Sequence, residues 1–299
     1  MNFKLLKSTS AAFGTSMVML CHSPVFGSDK LNIVASFSIL GDMVEQVVGE
    51  LANVTTIVGP DADAHVYQPS IGDAKSVADA DVVFVNGLGF ETWSESLINE
   101  SGTMAQIFVA TEGITPVLVD GETDPHAWNS LQNGMVYVQN IARSLSMASP
   151  DHKADFSANA IAYIKKLETL DADAKTQVAE LPEHRRTVVT AHDAFGYLAD
   201  AYGLNFLAPV GIDTEVEPSA KDLAALIDQL KADGAGALFV ENITSPVLVQ
   251  QISDETGIKM GGRLYSDALS ERGGPATSYE AMFQHNLNAL ITALSSAAN

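Results

Sequence analysis

The stretch from Asp151 to Leu181 limits the fold of this 299-residue chain more than any other part of the sequence. It contains neither glycine nor proline, and Pro182 follows it directly. Apolar residues recur in it at steps of three and four, the spacing of one helical face: Phe156, Ala160, Tyr163, Leu167, Leu170, Ala174 and Val178. A helix of about 30 residues would extend roughly 45 Å, enough to run along a two-domain body. We therefore predict one long rigid helix over 151–181 that joins two lobes stiffly, the alternative being a surface helix within one domain.

Short runs of β-branched residues alternate with amphipathic stretches on both sides of the predicted helix. This alternation is typical of parallel sheets whose strands are joined by helical crossovers. The predicted strands are 31–35, 54–58, 81–86, 187–190 and 237–240, and the predicted helices beside them are 39–48 and 219–232. We therefore expect an α/β protein with two lobes of parallel-rich sheets flanked by helices. The expected units are an N-terminal lobe over 28–150, the linking helix over 151–181 and a C-terminal lobe over 182–299.

The first 27 residues have the three-part layout of a secretory signal peptide. Lys4 and Lys7 are its only charged residues, an apolar and small-residue stretch spans 11–20, and the segment ends in Gly27. The apolar run is shorter than the roughly 20 residues that a membrane-spanning helix needs. We expect cleavage near Gly27 and export of the mature chain to the periplasm. Lipid modification of Cys21 is the alternative, although the residue before it is bulkier than that processing usually accepts.

The charge balance and the single cysteine exclude several classes of protein. The chain has 16 basic and 37 acidic residues, a formal net charge of −21. Removal of residues 1–27 takes away two basic residues and no acidic ones, which leaves −23. Such a surface repels phosphate backbones, so we expect no nucleic-acid partner. One cysteine allows neither a disulfide framework nor a cysteine-rich zinc finger, so a bound metal must be held by nitrogen and oxygen.

Three of the seven histidines lie in loops that also contain carboxylates. His65 and His192 follow predicted strands. His126 is part of the segment Asp-Pro-His-Ala-Trp at 124–128, which comes after the apolar run 117–119. Ligand sites in open α/β sheets form outside the carboxyl ends of the strands, and Asp267 stands in a similar position in the second half. From the residues alone, a metal site and ordinary loop histidines both stay open. The other histidines are assigned to the signal segment or to surface and structural roles: His22, His152, His184 and His285.

Six motifs in a fixed order give the chain a specific resemblance to a known family. They are His65–Ser70, Asn86–Glu91, Asp124–Trp128, Thr190–Tyr197, Glu217–Ser219 and Ser266–Ser270. The chain resembles the metal-binding solute-binding proteins of bacterial ABC importers, the zinc/manganese group that includes ZnuA-, TroA- and AztC-like proteins. The similarity extends from Leu31 to the end of the sequence.

This resemblance implies two α/β lobes bridged by a long helix, with one metal ion in the cleft between them. It implies that His65 and His126 supply ligands from the first lobe, and His192 and Asp267 from the second. It also implies transport rather than catalysis, so we expect no enzyme activity. The expected function is capture of Zn²⁺ in the periplasm and its delivery to a cognate ABC permease in the inner membrane. We expect the protein to be a monomer.

The ligand set implied by the resemblance favours zinc over manganese. Three imidazoles and one carboxylate fill the tetrahedral shell that zinc prefers and leave no position for a catalytic water. Manganese favours shells richer in oxygen, and manganese-type members of the family resemble a set with glutamate in place of His192. Because only neutral imidazoles bind metal, binding should weaken as the pH falls toward their usual pKa of about 6.5. Candidates for orienting the imidazoles are Asp193, Glu241 and Tyr197.

The chain departs from the family pattern at two places. Ala64 stands where many members have proline before the first ligand, which changes the stiffness of that loop. Only residues 120–123 occupy the place of the long histidine- and acid-rich insertion of many zinc-type members. We therefore expect metal to arrive either directly or from a periplasmic metallochaperone.

Three other functions are weighed against a zinc carrier. A manganese or iron carrier of the same family is the nearest of them. An exported adhesion or interaction protein with a structural metal is the alternative from another class. An exported zinc hydrolase is disfavoured because the sequence has no His-Glu-x-x-His segment.

Overall fold

The computed structural model describes residues 30–295. The predicted signal peptide, with Cys21 and the cleavage point near Gly27, lies outside the described residues. Within 30–295 no helix combines the length and the apolar composition that crossing a lipid bilayer requires.

The first lobe is built on a four-stranded parallel sheet. Its strands are β1 (Leu31–Phe37), β2 (Ala52–Val58), β3 (Val82–Val85) and β4 (Gln106–Val109), in the spatial order β2-β1-β3-β4. Its helices are α1 (Ser38–Val48), α2 (Ile71–Ala78) and α3 (Ser94–Ser101). The last five residues of β1 are all buried, as expected of a central parallel strand covered on both faces. The predicted strand 31–35 and helix 39–48 correspond to β1 and α1.

A short antiparallel hairpin separates this sheet from the helices that follow. It pairs β5 (Leu118–Val119) with β6 (Glu122–Thr123). Its turn, Asp120 and Gly121, has positive φ at both positions, 53° and 91°, the conformation that two-residue hairpin loops favour. The apolar run before His126 is therefore a hairpin arm and not a strand of the parallel sheet. A 3₁₀ turn at Ala127–Asn129 and helix α4 (Leu131–Ala148) follow.

The long helix predicted from the apolar spacing is present as α5 (Lys153–Ala179), preceded by a 3₁₀ turn at Pro150–His152. At 27 residues it extends about 40 Å. All seven apolar residues that define the predicted face are buried, and Asp171 is buried beside them. Asp171 accepts a hydrogen bond from the hydroxyl of Tyr202 and pairs with Lys175 one turn along.

The second lobe repeats the strand order of the first. Its strands are β7 (Thr187–Val189), β8 (Asn205–Leu207), β9 (Ala237–Glu241) and β10 (Met260–Leu264), in the order β10-β9-β7-β8 and all parallel. Its helices are α6 (Gly196–Tyr202), α7 (Ala220–Asp233), α8 (Val247–Thr256) and α9 (Tyr279–Ser295). If the four strands of each lobe are numbered along the chain, both sheets have the spatial order second, first, third, fourth, the second sheet being read from β8 to β10.

The two lobes share one hydrophobic core along α5. This helix packs against α1 and α4 of the first lobe and against α6 and α9 of the second. One continuous cluster of buried apolar residues includes side chains from all five of these helices and from both sheets. A smaller cluster, containing Ile227 and Val249, lies between the second sheet and helices α7 and α8. The structure therefore confirms an α/β fold of two lobes joined by one long helix.

Candidate metal centre

His65 lies in the loop between β2 and α2, on the first-lobe side of the cleft. Its backbone N–H donates to Asp63 Oδ1 at 2.9 Å, which closes a tight turn just before the imidazole. The indole N–H of Trp93 donates to the Ala64 carbonyl at 2.8 Å. The imidazole packs edge-on against Phe90, with the ring centroids 4.8 Å apart. Local hydrogen bonds and an aromatic contact thus orient the ring.

His126 follows the β5–β6 hairpin and is oriented by a buried carboxylate. Asp124 Oδ1 accepts the His126 backbone N–H at 2.9 Å and lies 2.8 Å from the ring atom Nδ1. The neighbouring carbonyl of Pro125 accepts a hydrogen bond from the Asn86 side chain at 3.0 Å. A carboxylate on Nδ1 leaves Nε2 to face the cleft, which is the arrangement that fixes a metal-binding imidazole.

His192 stands at the carboxyl end of β7, beside the last residue of β9. Glu241 Oε1 accepts the backbone N–H groups of Ala191 and His192, at 2.8 and 2.9 Å. Glu241 Oε2 lies 2.6 Å from His192 Nδ1. One buried glutamate therefore holds both the backbone and the ring of His192, and again leaves Nε2 toward the cleft.

Asp267 follows β10 and brings a buried carboxylate into the cleft, facing the imidazoles. It is fully buried, and neither of its oxygens accepts a hydrogen bond from any residue between 30 and 295. The backbone just before it is fixed, since the indole N–H of Trp128 donates to the Ser266 carbonyl at 2.8 Å. A buried ionised carboxylate without hydrogen bonds is costly unless a cation compensates it. The cations that can do so here are the facing imidazoles and a bound metal ion.

The four side chains converge on one point. Their ligand atoms all lie within 4.8 Å of one another, and over residues 30–295 they form the only such group of three or more His, Cys, Asp or Glu. His65 Nε2 is 3.2 Å from His126 Nε2 and 3.2 Å from Asp267 Oδ2. His192 Nε2 is 3.2 Å from the same oxygen, and His126 Nε2 is 3.7 Å from Asp267 Oδ1. Ligands at the zinc–nitrogen distance of about 2.0–2.1 Å would stand about 3.3 Å apart at the corners of a tetrahedron.

The candidate centre is almost sealed, and the least covered of its four side chains is His65. His126, His192 and Asp267 have no exposed surface, whereas His65 retains 6%. A cavity of about 500 Å³ opens beside His65, with Glu122 and Asp213 among its lining residues. A larger cavity of about 680 Å³ lies at the amino ends of β9 and β10 and includes none of the four side chains. Among the four, His65 is therefore the side chain nearest to solvent.

The carboxylates around the centre change the protonation of its histidines. Burial lowers the pKa of His126, but the charges of Asp267 and Asp124 outweigh burial and raise it to about 9. Burial likewise lowers the pKa of His192, and Glu241 and Asp267 raise it well above its ordinary value. Burial raises the pKa of Asp267, and His192 and His126 together bring it well below its usual range. A metal ion bound here would therefore have to displace protons from His126 and His192 even well above the pH at which an ordinary imidazole is neutral.

Of the three residues predicted to orient the imidazoles, only one contacts an imidazole ring directly. Glu241 contacts His192, as the sequence suggested. The Tyr197 hydroxyl donates to the Asp124 carbonyl at 2.9 Å, so it supports the His126 loop and contacts no imidazole. Burial and the charge of Asp124 raise the pKa of Asp193, which belongs to the surroundings of the centre. The group of four contains none of the histidines assigned to surface or structural roles: His152, His184 and His285.

Asp124 and Phe90 are contributors that the sequence reasoning did not single out. The signal for Asp124 was present, because Asp-x-His occurs both at 63–65 and at 124–126 and makes the same turn in each place. Gly196 is a third omission, since a Cβ there would lie 2.7 Å from Asp124 Oδ2. Only glycine at that position lets α6 of the second lobe approach the His126 loop this closely.

Comparisons with known proteins agree with this geometry. Residues 33–293 match the family model "Zinc-uptake complex component A periplasmic". The chain is 34% identical over 266 residues to a manganese-binding lipoprotein of Halalkalibacterium halodurans, covering 89% of each. It is 32% identical over 278 residues to an iron ABC transporter substrate-binding lipoprotein of Streptococcus pyogenes serotype M1, covering 89% of this chain and 90% of that one.

Among solved structures, the fold is similar to that of the periplasmic zinc-binding protein TroA of Treponema pallidum. The TM-score is 0.84 at 28% identity, over 89% of this chain and 99% of that one. The three relatives carry names that refer to three different metals.

Proposed function

Because the chain belongs to the family of zinc-uptake complex component A proteins, the substrate-binding components of metal ABC transporters, we propose that its cargo is Zn²⁺. A protein of this family binds a solute for a membrane permease and its ATPase, and it is not an enzyme. In the proposed function the chain captures one Zn²⁺ between the lobes in the periplasm and delivers it to its cognate permease.

One observation carries this proposal: the convergence of His65, His126, His192 and Asp267. Three imidazole nitrogens and a carboxylate meet in a buried cleft, with their ligand atoms all within 4.8 Å of one another. We propose these four as the metal ligands. They leave no place for the water that a catalytic zinc requires, which agrees with a carrier.

The nitrogen-rich shell supports zinc over the metals named for two of the relatives. Imidazole suits zinc and iron, whereas carboxylate, carbonyl and water suit manganese. Three nitrogen donors and one oxygen therefore favour Zn²⁺ against Mn²⁺. Iron is the harder competitor on ligand type alone, and the number of ligands, four, favours zinc against it because structural zinc sites are nearly always four-coordinate.

Location and partners complete the proposal. The family implies a permease and an ATPase, and the signal-like first 27 residues support export to the periplasm. That the chain is a monomer stays a prediction. The relatives named as lipoproteins make acylation at Cys21 the competing maturation. The intact mass of the exported protein separates the two, because cleavage near Gly27 removes Cys21 and acylation retains it with added lipid.

A periplasmic metallochaperone stays a prediction from the short 120–123 segment. The comparisons do not support an adhesion function.

Native mass spectrometry of the mature chain with equal concentrations of Zn²⁺, Mn²⁺ and Fe²⁺ tests the choice of metal. We expect one zinc ion per chain, with manganese and iron absent from the bound species. The variant His192→Glu should lose much of this preference for zinc over manganese, because it replaces a nitrogen donor by oxygen. His152→Glu makes the same change in the 3₁₀ turn before α5 and should leave the preference unchanged. Preferential retention of manganese or iron by the unmodified chain would contradict the zinc assignment.

A further inference from the structure

The loop that carries His65 is bonded to the opposite lobe outside the metal centre. The Asp61 backbone N–H donates to the Leu269 carbonyl at 2.9 Å. Asp61 Oδ1 accepts from the Asn242 side chain at 2.9 Å, and Oδ2 accepts from the Glu271 backbone N–H at 3.1 Å. One first-lobe residue thus contacts two separate loops of the second lobe.

Asp63 adds a second connection two residues later. Its Oδ2 accepts a hydrogen bond from the Thr214 hydroxyl of the second lobe at 2.7 Å. Its Oδ1 accepts the backbone N–H of His65. The same carboxylate therefore joins the opposite lobe to the residue that bears the imidazole. We call Asp61, Asp63, Thr214 and Asn242, with the backbone of Leu269 and Glu271, the latch.

The latch ties together the backbone segments of two proposed ligands from opposite lobes. Asp61 lies four residues before His65, and Leu269 lies two residues after Asp267. Asp61 also holds a φ of 50°, a left-handed conformation that few residues other than glycine adopt, although aspartate and asparagine tolerate it. Three hydrogen bonds to the second lobe accompany this conformation.

The latch differs in burial from the inter-lobe contacts on the His126 side. There, Trp128 donates to the Ser266 carbonyl, Asn129 to the Ala194 carbonyl and Tyr197 to the Asp124 carbonyl, and all three bonds are buried. In the latch, Asp61 is exposed, and Asp63, Thr214 and Asn242 are half-buried. Water can replace the latch bonds more readily than the buried ones, because an exposed group that loses its partner is resolvated, whereas a buried group is left unpaired. The cleft is therefore weakest along the His65 loop, beside the 500 Å³ cavity.

We infer that Asp61 and Asp63 are positioning residues that hold the His65 loop closed over the metal, and that opening of the latch is the step that limits metal release. The inference rests on the proposed metal centre and adds the residues that control its opening. Contacts made only in the closed arrangement shift the population toward it, so their loss should raise the fraction of time that the loop is open. The ligands themselves stay intact, so the coordination of bound metal should not change.

Stopped-flow transfer of Zn²⁺ from the mature protein to an excess of a chromophoric chelator tests this inference. Asp61→Gly removes the carboxylate and keeps a residue that tolerates the φ of 50°. We expect zinc release to accelerate about tenfold, the scale set by the loss of two hydrogen bonds of modest net strength. The association rate should change less than the release rate. Asp120→Gly is the matched control, because it removes the same charge at a φ of 53° in the β5–β6 turn, and it should release zinc at the unmodified rate.

Asn242→Ala tests the same bond from the second lobe and serves if Asp61→Gly fails to fold. It should also accelerate release. The double variant should release zinc scarcely faster than the faster single variant, since both variants remove the bond between Asp61 and Asn242. The Co²⁺-loaded variants should keep the visible absorption spectrum of the unmodified protein, which a loss of ligand geometry would alter.

If Asp61→Gly and Asn242→Ala both bind one zinc ion and release it at the rate of the unmodified chain, the inference about the latch is wrong. Equal acceleration in Asp61→Gly and Asp120→Gly would also overturn it, because charge alone would then explain the effect. If the unmodified chain binds no zinc ion in the same assay, the proposed function fails instead.

Discussion

The two lobes share one strand order and yet hold their halves of the metal centre in different ways. In the second lobe, His192 and Asp267 each lie three residues beyond a strand of the sheet, β7 and β10. In the first lobe, His65 lies seven residues beyond β2, in a loop with no regular secondary structure. Glu241 holds both the backbone and the ring of His192 inside the protein, whereas His65 is held by its own loop, an aromatic contact and the latch. We therefore expect the second lobe to supply the rigid half of the proposed centre, and His65 to be its movable member.

Loss of a ligand from the rigid half should have the largest effect. We expect His192→Ala to reduce zinc affinity by more than the roughly 10–100-fold associated with losing an outer hydrogen-bonding partner, because it removes a donor atom and leaves Glu241 and Asp267 buried without it. Competition with a chelator of known affinity measures the loss. His152 lies in the 3₁₀ turn before α5, outside the candidate centre. The variant His152→Ala should bind zinc with the affinity of the unmodified chain. A large loss in His152→Ala, or stoichiometric zinc retained by His192→Ala at low concentration, would show that the wrong histidines had been chosen.

Removal of one orienting carboxylate from each lobe compares the two halves directly. Glu241→Gln and Asp124→Asn should each lower zinc affinity about 10–100-fold, the usual cost of an outer-shell partner. Glu241 contacts two backbone N–H groups as well as the imidazole, so its variant should lie toward the larger value. The same titration against a chelator gives both values. If Asp124→Asn weakens zinc binding and Glu241→Gln does not, the rigid half of the centre lies in the first lobe and not in the second.

A contact between α1 of the first lobe and α9 of the second, which involves none of the four candidate ligands, should respond to pH and not to metal. Asp42 of α1 accepts the backbone N–H of Tyr279 at the start of α9, at 2.9 Å. Burial raises the pKa of Asp42 to about 6, and hydrogen bonds from Tyr279 and Gln46 only partly offset this. Because the pKa is higher in the folded than in the unfolded chain, protonation favours the folded state, and this contribution is present below about pH 4 and lost as the pH rises through 6.

Asp42→Asn should therefore be more stable than the unmodified chain at pH 8, by up to about 2–3 kcal/mol, and the difference should vanish near pH 4. Urea unfolding of the metal-free proteins at both pH values measures this. Asp173→Asn, on the exposed side of α5, is the control. Equal stability of Asp42→Asn and the unmodified chain at pH 8 would mean that the buried carboxylate is compensated by a contact other than those described.

The smallest effects should come from exposed ion pairs, one on each lobe. Arg143 and Glu112 approach to 2.6 Å in the first lobe, and Lys231 and Glu255 to 4.0 Å in the second, with every side chain well exposed. We expect Arg143→Ala and Lys231→Ala to change the free energy of unfolding by no more than about 1 kcal/mol, since exposed pairs are screened by solvent. Zinc affinity should not change in either. If only one of the two variants lost much more than this free energy of unfolding, the two lobes would differ in their surface ion pairs and not only in the cleft.

The sequence predicted the fold best where burial leaves a clear pattern. The face of α5 was identified residue by residue, because a helix packed along one side repeats its apolar residues at a fixed spacing. The central strands β1, β3 and β9 were found for the same reason. The outer strands β4, β8 and β10 were not predicted. The residues of β4 are largely exposed, and β10 contains Gly261 and Gly262, so neither strand has the apolar alternation that identifies a strand.

The candidate site was less accessible to reasoning from the sequence alone. Positions after strand ends identified His65 and His192 as candidates, but nothing in their spacing states that residues 65 and 267 meet. Family resemblance supplied that pairing, and the structure brings the four side chains together. The raised pKa of His126 depends on Asp267, a residue distant in sequence, so the ordinary imidazole value underestimated proton competition. The latch is invisible for the same reason, because Asp61 and its partners are about 180 to 210 residues apart.

Zinc K-edge X-ray absorption of the stoichiometric complex measures the coordination shell directly. We expect four light ligands at about 2.0 Å, three of them with the multiple scattering of imidazole, and no bound water. His65→Ala should show one imidazole fewer. Two or fewer imidazoles in the unmodified protein, or five or six ligands including water, would contradict a closed shell formed by His65, His126, His192 and Asp267.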